Sequence, residues 1–190
     1  IVKSNPHNEQ GIDFNRVGID VSVSGLGALN TTIVSDGTDQ IFNITAGNVR
    51  FVDLSLSGGA TAISGGGIFF DVSGGTLTIE DCVIRNCSKI GTGGIGGGGV
   101  FVNAGSLIIT GTTIRECSSD LTGGGICLNT GCTGGVFSNT HFIQNTSNRN
   151  NVAAGGGLFV NATGSDFTMT NCFLTDNTAS LGGEIGRAHV

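Results

Sequence analysis

One phrase recurs through the second half of this chain and limits what the chain can fold into. It reads GGGIFF from Gly65, GGGVFV from Gly97, GGGICL from Gly123, GGGLFV from Gly155 and GGEIG from Gly182. Successive starts are 32, 26, 32 and 27 residues apart. A unit that repeats every few tens of residues buries its apolar face only by stacking on its neighbours, which makes the chain a solenoid.

Two more apolar runs follow each glycine phrase in a fixed order. The second run is TLTIEDC from Thr76, SLIITGT from Ser106, GVFSNTH from Gly135 and DFTMTNC from Asp166. The third is VIRNCS from Val83, TIRECS from Thr113, FIQNTS from Phe142 and, one residue late, LTDNTA from Leu174. All three kinds of run are short, alternate apolar with polar, and favour Val, Ile, Thr and Phe, the signature of half-buried strands. No stretch combines a 3.6-residue period with few glycines, so a helical repeat is excluded. With 35 Gly and one Pro, the corners can take left-handed conformations without strain. The expected fold is all-β: a parallel β-helix with three strands per coil, each coil of roughly 26–32 residues.

Residues 1–16 are polar and irregular, and alternation begins at Val17 with GIDVSVSG, TTIVSDGTD, QIFNITAG and VRFVDLSLSGG. These read as one to two further coils with no linker before the repeats, so residues 1–183 are expected to form a single β-helix domain, a fragment open at both ends. The last seven residues, EIGRAHV from Glu184, resemble translated sequencing-adapter read-through. They are set apart from the fold.

A net charge of −6 with no Trp and no Tyr argues against a nucleic-acid surface, which needs a basic face and stacking platforms. No run approaches the ~20 apolar residues of a membrane span. The chain begins with Ile, so the lack of a leader at its start carries no information.

The stretch TTIVSDGTDQIFNITAGNVRFVDLSLSGGATAISGGGI resembles the opening coils of right-handed, pectin-lyase-like parallel β-helix surface proteins. The GGGI and GGGV phrases, with FIQNTS and LTDNTASLGGEI, resemble the GGAI and FxxN repeats of polymorphic outer-membrane proteins and related autotransporter passengers. The likeness runs from Val21 to Ile185. FxxN is literal only at Phe142–Asn145, and the corresponding places read VxxN at Val83, TxxE at Thr113 and LxxN at Leu174. The resemblance implies a right-handed coil, in line with the general hand of parallel connections. It also implies a non-enzymatic adhesin or stalk at the cell surface or outer membrane, or secreted, meeting a host-cell or extracellular protein or glycan.

Alternation within the first run places Ile68, Phe70, Val100, Val102, Ile126, Leu128, Leu158 and Val160 on one side, with Phe69, Phe101, Cys127 and Phe159 on the other. If the first set is the core, then Phe69, Phe101 and Phe159 make an outward aromatic strip that a partner could bind. The same ladder could equally stack on itself under a covering loop. Asn103, Asn129 and Asn161, with Asp71, share a corner and are expected to bond amide to amide from coil to coil.

The six cysteines lack the paired CxxC spacings of a zinc site, so no metal or cofactor is expected. Cys87 and Cys117 occupy the same place in successive coils, within disulfide reach at ~4.8 Å. They fit either a bridge in an oxidising compartment or a reduced interior stack. Cys127 and Cys132 flank a short turn and could also close.

GTGGIG at Gly91 matches the dinucleotide pattern but runs into a strand, so it reads as a turn. Parallel β-helices also host polysaccharide lyases and glycoside hydrolases, whose sites need clustered carboxylates. Glu80 and Asp81 face opposite ways, and Arg85 and Arg115 stack with Gln144 expected next. No catalytic residues are assigned, and an enzyme fragment with its catalytic coils elsewhere is the alternative reading. Threonine rows at Thr76/Thr78 and Thr168/Thr170 are interrupted by Ser106/Ile108 and Gly135/Phe137 and do not form an ice-binding array.

Overall fold

The computed structural model describes residues 7–148, 154–162, 166–180 and 183–186. Within them every regular element is a strand, and every strand pairing in three stacked sheets of ten, seven and five strands is parallel. The result is a β-solenoid of about six turns. Among the described residues no helix is long and apolar enough to cross a membrane.

Each coil divides differently from the three runs of the sequence. The first and second runs join into one long strand, Ile68–Glu80, Val100–Thr110 and Ile126–Ser138, in the ten-stranded sheet. Where a corner was expected between the two runs, the register slips instead, between Val102 and Ala104 and again between Gly105 and Ser106. Gly105, at φ 96°, lets the strand bulge and bend without leaving the sheet.

The third run then supplies the seven-stranded sheet, with Val83–Arg85, Thr113–Arg115, His141–Ile143 and Phe173–Thr175. After one more corner its tail makes the five-stranded sheet from two-residue strands, Ser88–Lys89, Ser118–Ser119, Thr146–Ser147 and Thr178–Ala179. Three strands per coil is therefore right, although the sequence drew their borders in other places.

Single left-handed residues make both corners. Asp53, Asp81, Gly111, Asn139 and Asn171 turn the chain into the seven-stranded sheet, and Asn86, Glu116, Gln144 and Asp176 turn it out, all at φ between 49° and 60°. Asn, Asp and Gly tolerate this conformation, whereas Glu116 and Gln144 hold it at a cost of roughly 1–2 kcal/mol each.

These corners set the register. Ile84, Ile114, Phe142 and Leu174 pair in one column, so the third motif reads IxxC, IxxC, FxxN and LxxN, and the Leu174 run is in step. The sequence reading had aligned Asn86 and Glu116 with Asn145. They are in fact the left-handed corner residues, and Cys87 and Cys117 take the inward place.

The predicted inward set, from Ile68 and Phe70 to Leu158 and Val160, is buried in one continuous core. The glycine phrase follows from backbone crowding rather than from turn conformation alone. A β-carbon on Gly98 would stand 2.2 Å from the Ser118 carbonyl oxygen and 2.3 Å from that of Gly124, closer than any side chain allows.

At the chain's end, Ile185–Gly186 pairs with Leu158–Phe159 as the last strand of the ten-stranded sheet. The first part of the segment set apart in the sequence thus takes a place in the solenoid. Residues 187–190, like Gly182, lie outside the described residues.

Candidate functional site

The residue after each left-handed corner points inward and must satisfy the backbone it turns past. Cys82, Thr112, Thr140 and Cys172 do this at the first corner, each donating its hydroxyl or thiol to the carbonyl two residues earlier, at 3.0–3.4 Å. Cys87 and Cys117 do the same at the second corner, at 3.3 and 3.4 Å. Cysteine is used here as a less polar counterpart of threonine.

Cys87 and Cys117 are buried thiols in successive coils, their side chains in hydrogen-bond contact. Burial pushes the Cys117 thiol well above its ordinary range, and the Cys82 thiol to about 11. Cys127 and Cys132 lie in different apolar clusters on opposite sides of the long strand, because five intervening steps with a bulge separate their side chains instead of closing a turn.

In the next two coils the inward corner place is held by Asn145 and Asn177. Asn145 donates its amide to the Ile114 carbonyl at 2.9 Å and to the Asn177 side-chain oxygen at 2.8 Å, and accepts from the Cys117 backbone at 3.0 Å. The sequence reading did not single out this ladder, and its signal was the FxxN motif taken in the correct register. The ladder it did predict is present: Asn129 donates to Asn103 at 2.7 Å, and Asn161 to Asn129 at 3.4 Å. Asp71 falls out of that column and pairs with Ala104 because of the bulge.

The aromatic strip forms but is not open to solvent. Phe101, Cys127 and Phe159 are buried in a second apolar cluster, with half-buried Phe69 stacked on Phe101 at 5.6 Å. Phe101 and Phe159 therefore do not form an exposed strip, because the glycine-rich segment before Val100 folds back over the cluster through Ile95. Ile95 packs into the ladder, its N–H bonded to Ser64 at 3.0 Å and its carbonyl to Thr122 at 2.9 Å. GTGGIG is part of this cover, pinned by buried Lys89, whose ammonium donates to the Ile90 and Gly91 carbonyls at 2.7 and 2.5 Å.

Glu80 and Asp81 are also committed to structure. Glu80 pairs with Arg50 of the preceding coil, and Asp81 sits at a left-handed corner directly beneath Gly111. Among the described residues no three of His, Cys, Asp and Glu come together to hold a metal ion.

A groove open outward lies on the seven-stranded sheet. Its floor is the outward column Thr32, Ser55, Val83 and Thr113, one residue from each of four successive strands. One wall is Arg85 and Arg115, adjacent in register; Ala28 and Leu29, from the loop before Thr32, form the other. The cavity is about 480 Å³ and no carboxylate lines it. Arg115 bonds Glu116 at 2.7 Å, while Arg85 has no carboxylate partner among the described residues. The strand after Arg115 contributes Ile143 beside it rather than the expected Gln144, which is a corner residue. No protein-family profile, curated protein or solved structure matches the chain.

Proposed function

We propose that the chain is a segment of a non-enzymatic, extracellular or surface-displayed β-helix that acts as a stalk or adhesin, in the manner of the passenger repeats it resembles. The observation that carries this reading is a division of labour between the inside and the outside of the coil. Inward and corner residues are spent on stacking, through the ladder of Asn145 and Asn177 and the thiol and hydroxyl columns. The outward column then offers side chains from successive coils side by side, as in the groove of Thr32, Ser55, Val83 and Thr113. A rod whose coils hold themselves together frees its faces to display recognition surface, and longer rods display more of it.

Antibodies raised against the chain test the reading on intact source cells. Staining without permeabilisation, abolished by protease added outside the cell, supports it, and staining that requires permeabilisation removes it. The purified chain is incubated in parallel with polygalacturonate and other polysaccharides. Release of reducing ends or unsaturated products would replace the display reading with the enzyme reading.

A further inference from the structure

The groove holds a buried polar atom that the fold leaves unanswered. Ser55 is 2% exposed, and its hydroxyl oxygen has no hydrogen-bond partner. By alternation Leu56 points into the core, so Ser55 points outward, onto the groove floor that it lines with Arg85 and Arg115. A buried hydroxyl without a partner costs about 1–3 kcal/mol, and beside a groove of this size the natural remedy is a bound group. The cations of the wall say what kind of group. Arg85 and Arg115 are register partners on adjacent strands, which places their α-carbons ~4.8 Å apart. Arg115 bonds Glu116 through Nη1 alone at 2.7 Å, so its remaining N–H donors and the whole Arg85 guanidinium can reach one anion, as forked donors do.

We infer that this groove is a binding site for a tetrahedral oxyanion, a sulfate or phosphate ester carried on a glycan, gripped by Arg85 and Arg115 from the wall and by the Ser55 hydroxyl from the floor. Two donors on the wall and one on the floor do not share a plane, which suits a tetrahedral ester better than a flat carboxylate. Thr32 and Thr113, with Val83 between them, supply the hydroxyl and apolar contacts that a sugar ring needs beside the ester. The inference deepens the display reading by naming the ligand class of the groove, and rests on it only for where the glycan comes from.

Calorimetric titration of the full chain tests it with inorganic sulfate, inorganic phosphate, a sulfated disaccharide containing a uronate, and the same disaccharide without its sulfates. The sulfated sugar is expected to bind at least tenfold tighter than the desulfated one, and the relative affinities for sulfate and phosphate decide which ester the site prefers. Arg85→Gln and Arg115→Gln are each expected to weaken binding tenfold or more, and Ser55→Ala severalfold. Arg16→Gln, outside the groove, should leave binding unchanged. Unfolding midpoints of the variants, measured alongside, confirm that the loss is not one of folding.

Equal binding of the two disaccharides overturns the inference, as does retention of binding in both groove arginine variants. Equal weakening by Arg16→Gln, or tighter binding of an aspartate-rich peptide than of the sulfated sugar, overturns it too. None of these results depends on where the chain resides, so the surface-display reading stands or falls separately.

Discussion

The side-chain amide of Asn145 donates to the side-chain oxygen of Asn177, one coil above, at 2.8 Å, and that same oxygen accepts from the Asn145 backbone at 2.9 Å. Asn177 repeats the pattern by donating to the Phe142 carbonyl at 2.8 Å. Each amide thus answers backbone groups that flank the left-handed corner of the preceding coil, Glu116 for Asn145 and Gln144 for Asn177.

Asn145→Ala should therefore be among the more damaging single changes in the chain. It orphans the Cys117 N–H, the Ile114 carbonyl and one face of Asn177, each a buried loss of about 1–3 kcal/mol before relaxation. A loss of several kcal/mol in chemical denaturation is expected. Asn145→Cys, which copies the residue at this place in the two preceding coils, should cost clearly less, and a loss of under about 1 kcal/mol in Asn145→Ala would show that the ladder contributes little.

Glycine substitutions should separate close approach from conformation. Gly98→Ala drives a β-carbon into two carbonyl oxygens at 2.2 and 2.3 Å, and is expected to prevent stable folding or to lower stability by more than about 4 kcal/mol. Gly74→Ala meets nothing within 4 Å and suffers only from its φ of 74°, which costs about 1–2 kcal/mol. Thermal unfolding of the two variants checks the order.

The alkaline limb of stability should belong to the buried thiols. The folded-state value for Cys82 is raised to about 11 from an ordinary 9.0, mainly by burial. Its contribution is therefore complete below about pH 9 and is lost as pH rises toward 11, by roughly 2–3 kcal/mol in all. Cys82→Thr copies Thr112 of the next coil and should flatten this part of the pH–stability curve. An unchanged alkaline slope in that variant would mean that Cys82 is not its source.

Lys89→Met should loosen the cover over the aromatic ladder without disturbing the coil. The change removes both donors to the Ile90 and Gly91 carbonyls, and a loss of about 1.4 kcal/mol there corresponds to tenfold more frequent local opening. Hydrogen exchange of the amides from Gly91 to Gly97 reads this directly. Exchange that accelerates equally in Ile109 and Ile114 would instead report global unfolding.

The sequence by itself determined the solenoid, its all-β coils and the two sides of each long strand. A period-two pattern repeated every few tens of residues can bury its apolar half in only one way, so Ile68, Phe70, Val100 and Val102 lie inside as read. The predicted amide column of Asn103, Asn129 and Asn161 followed from the same repetition. Tertiary structure decided what crosses over those sides. Phe101 and Phe159 alternate outward, yet they are buried in a second apolar cluster against which Ile95 packs, and alternation describes a strand's own faces without saying what lies on top. The corner register was ambiguous for a related reason: Asn serves equally as a left-handed turn residue at 86 and as an inward amide at 145. Only the pairing of Ile84 with Ile114 and Phe142 separates those roles. Of the groove at Ser55, Arg85 and Arg115, only the stacked arginine pair was legible in the sequence, since the wall at Ala28 and Leu29 belongs to a coil whose repeat is too divergent to align, and only stacking brings them together.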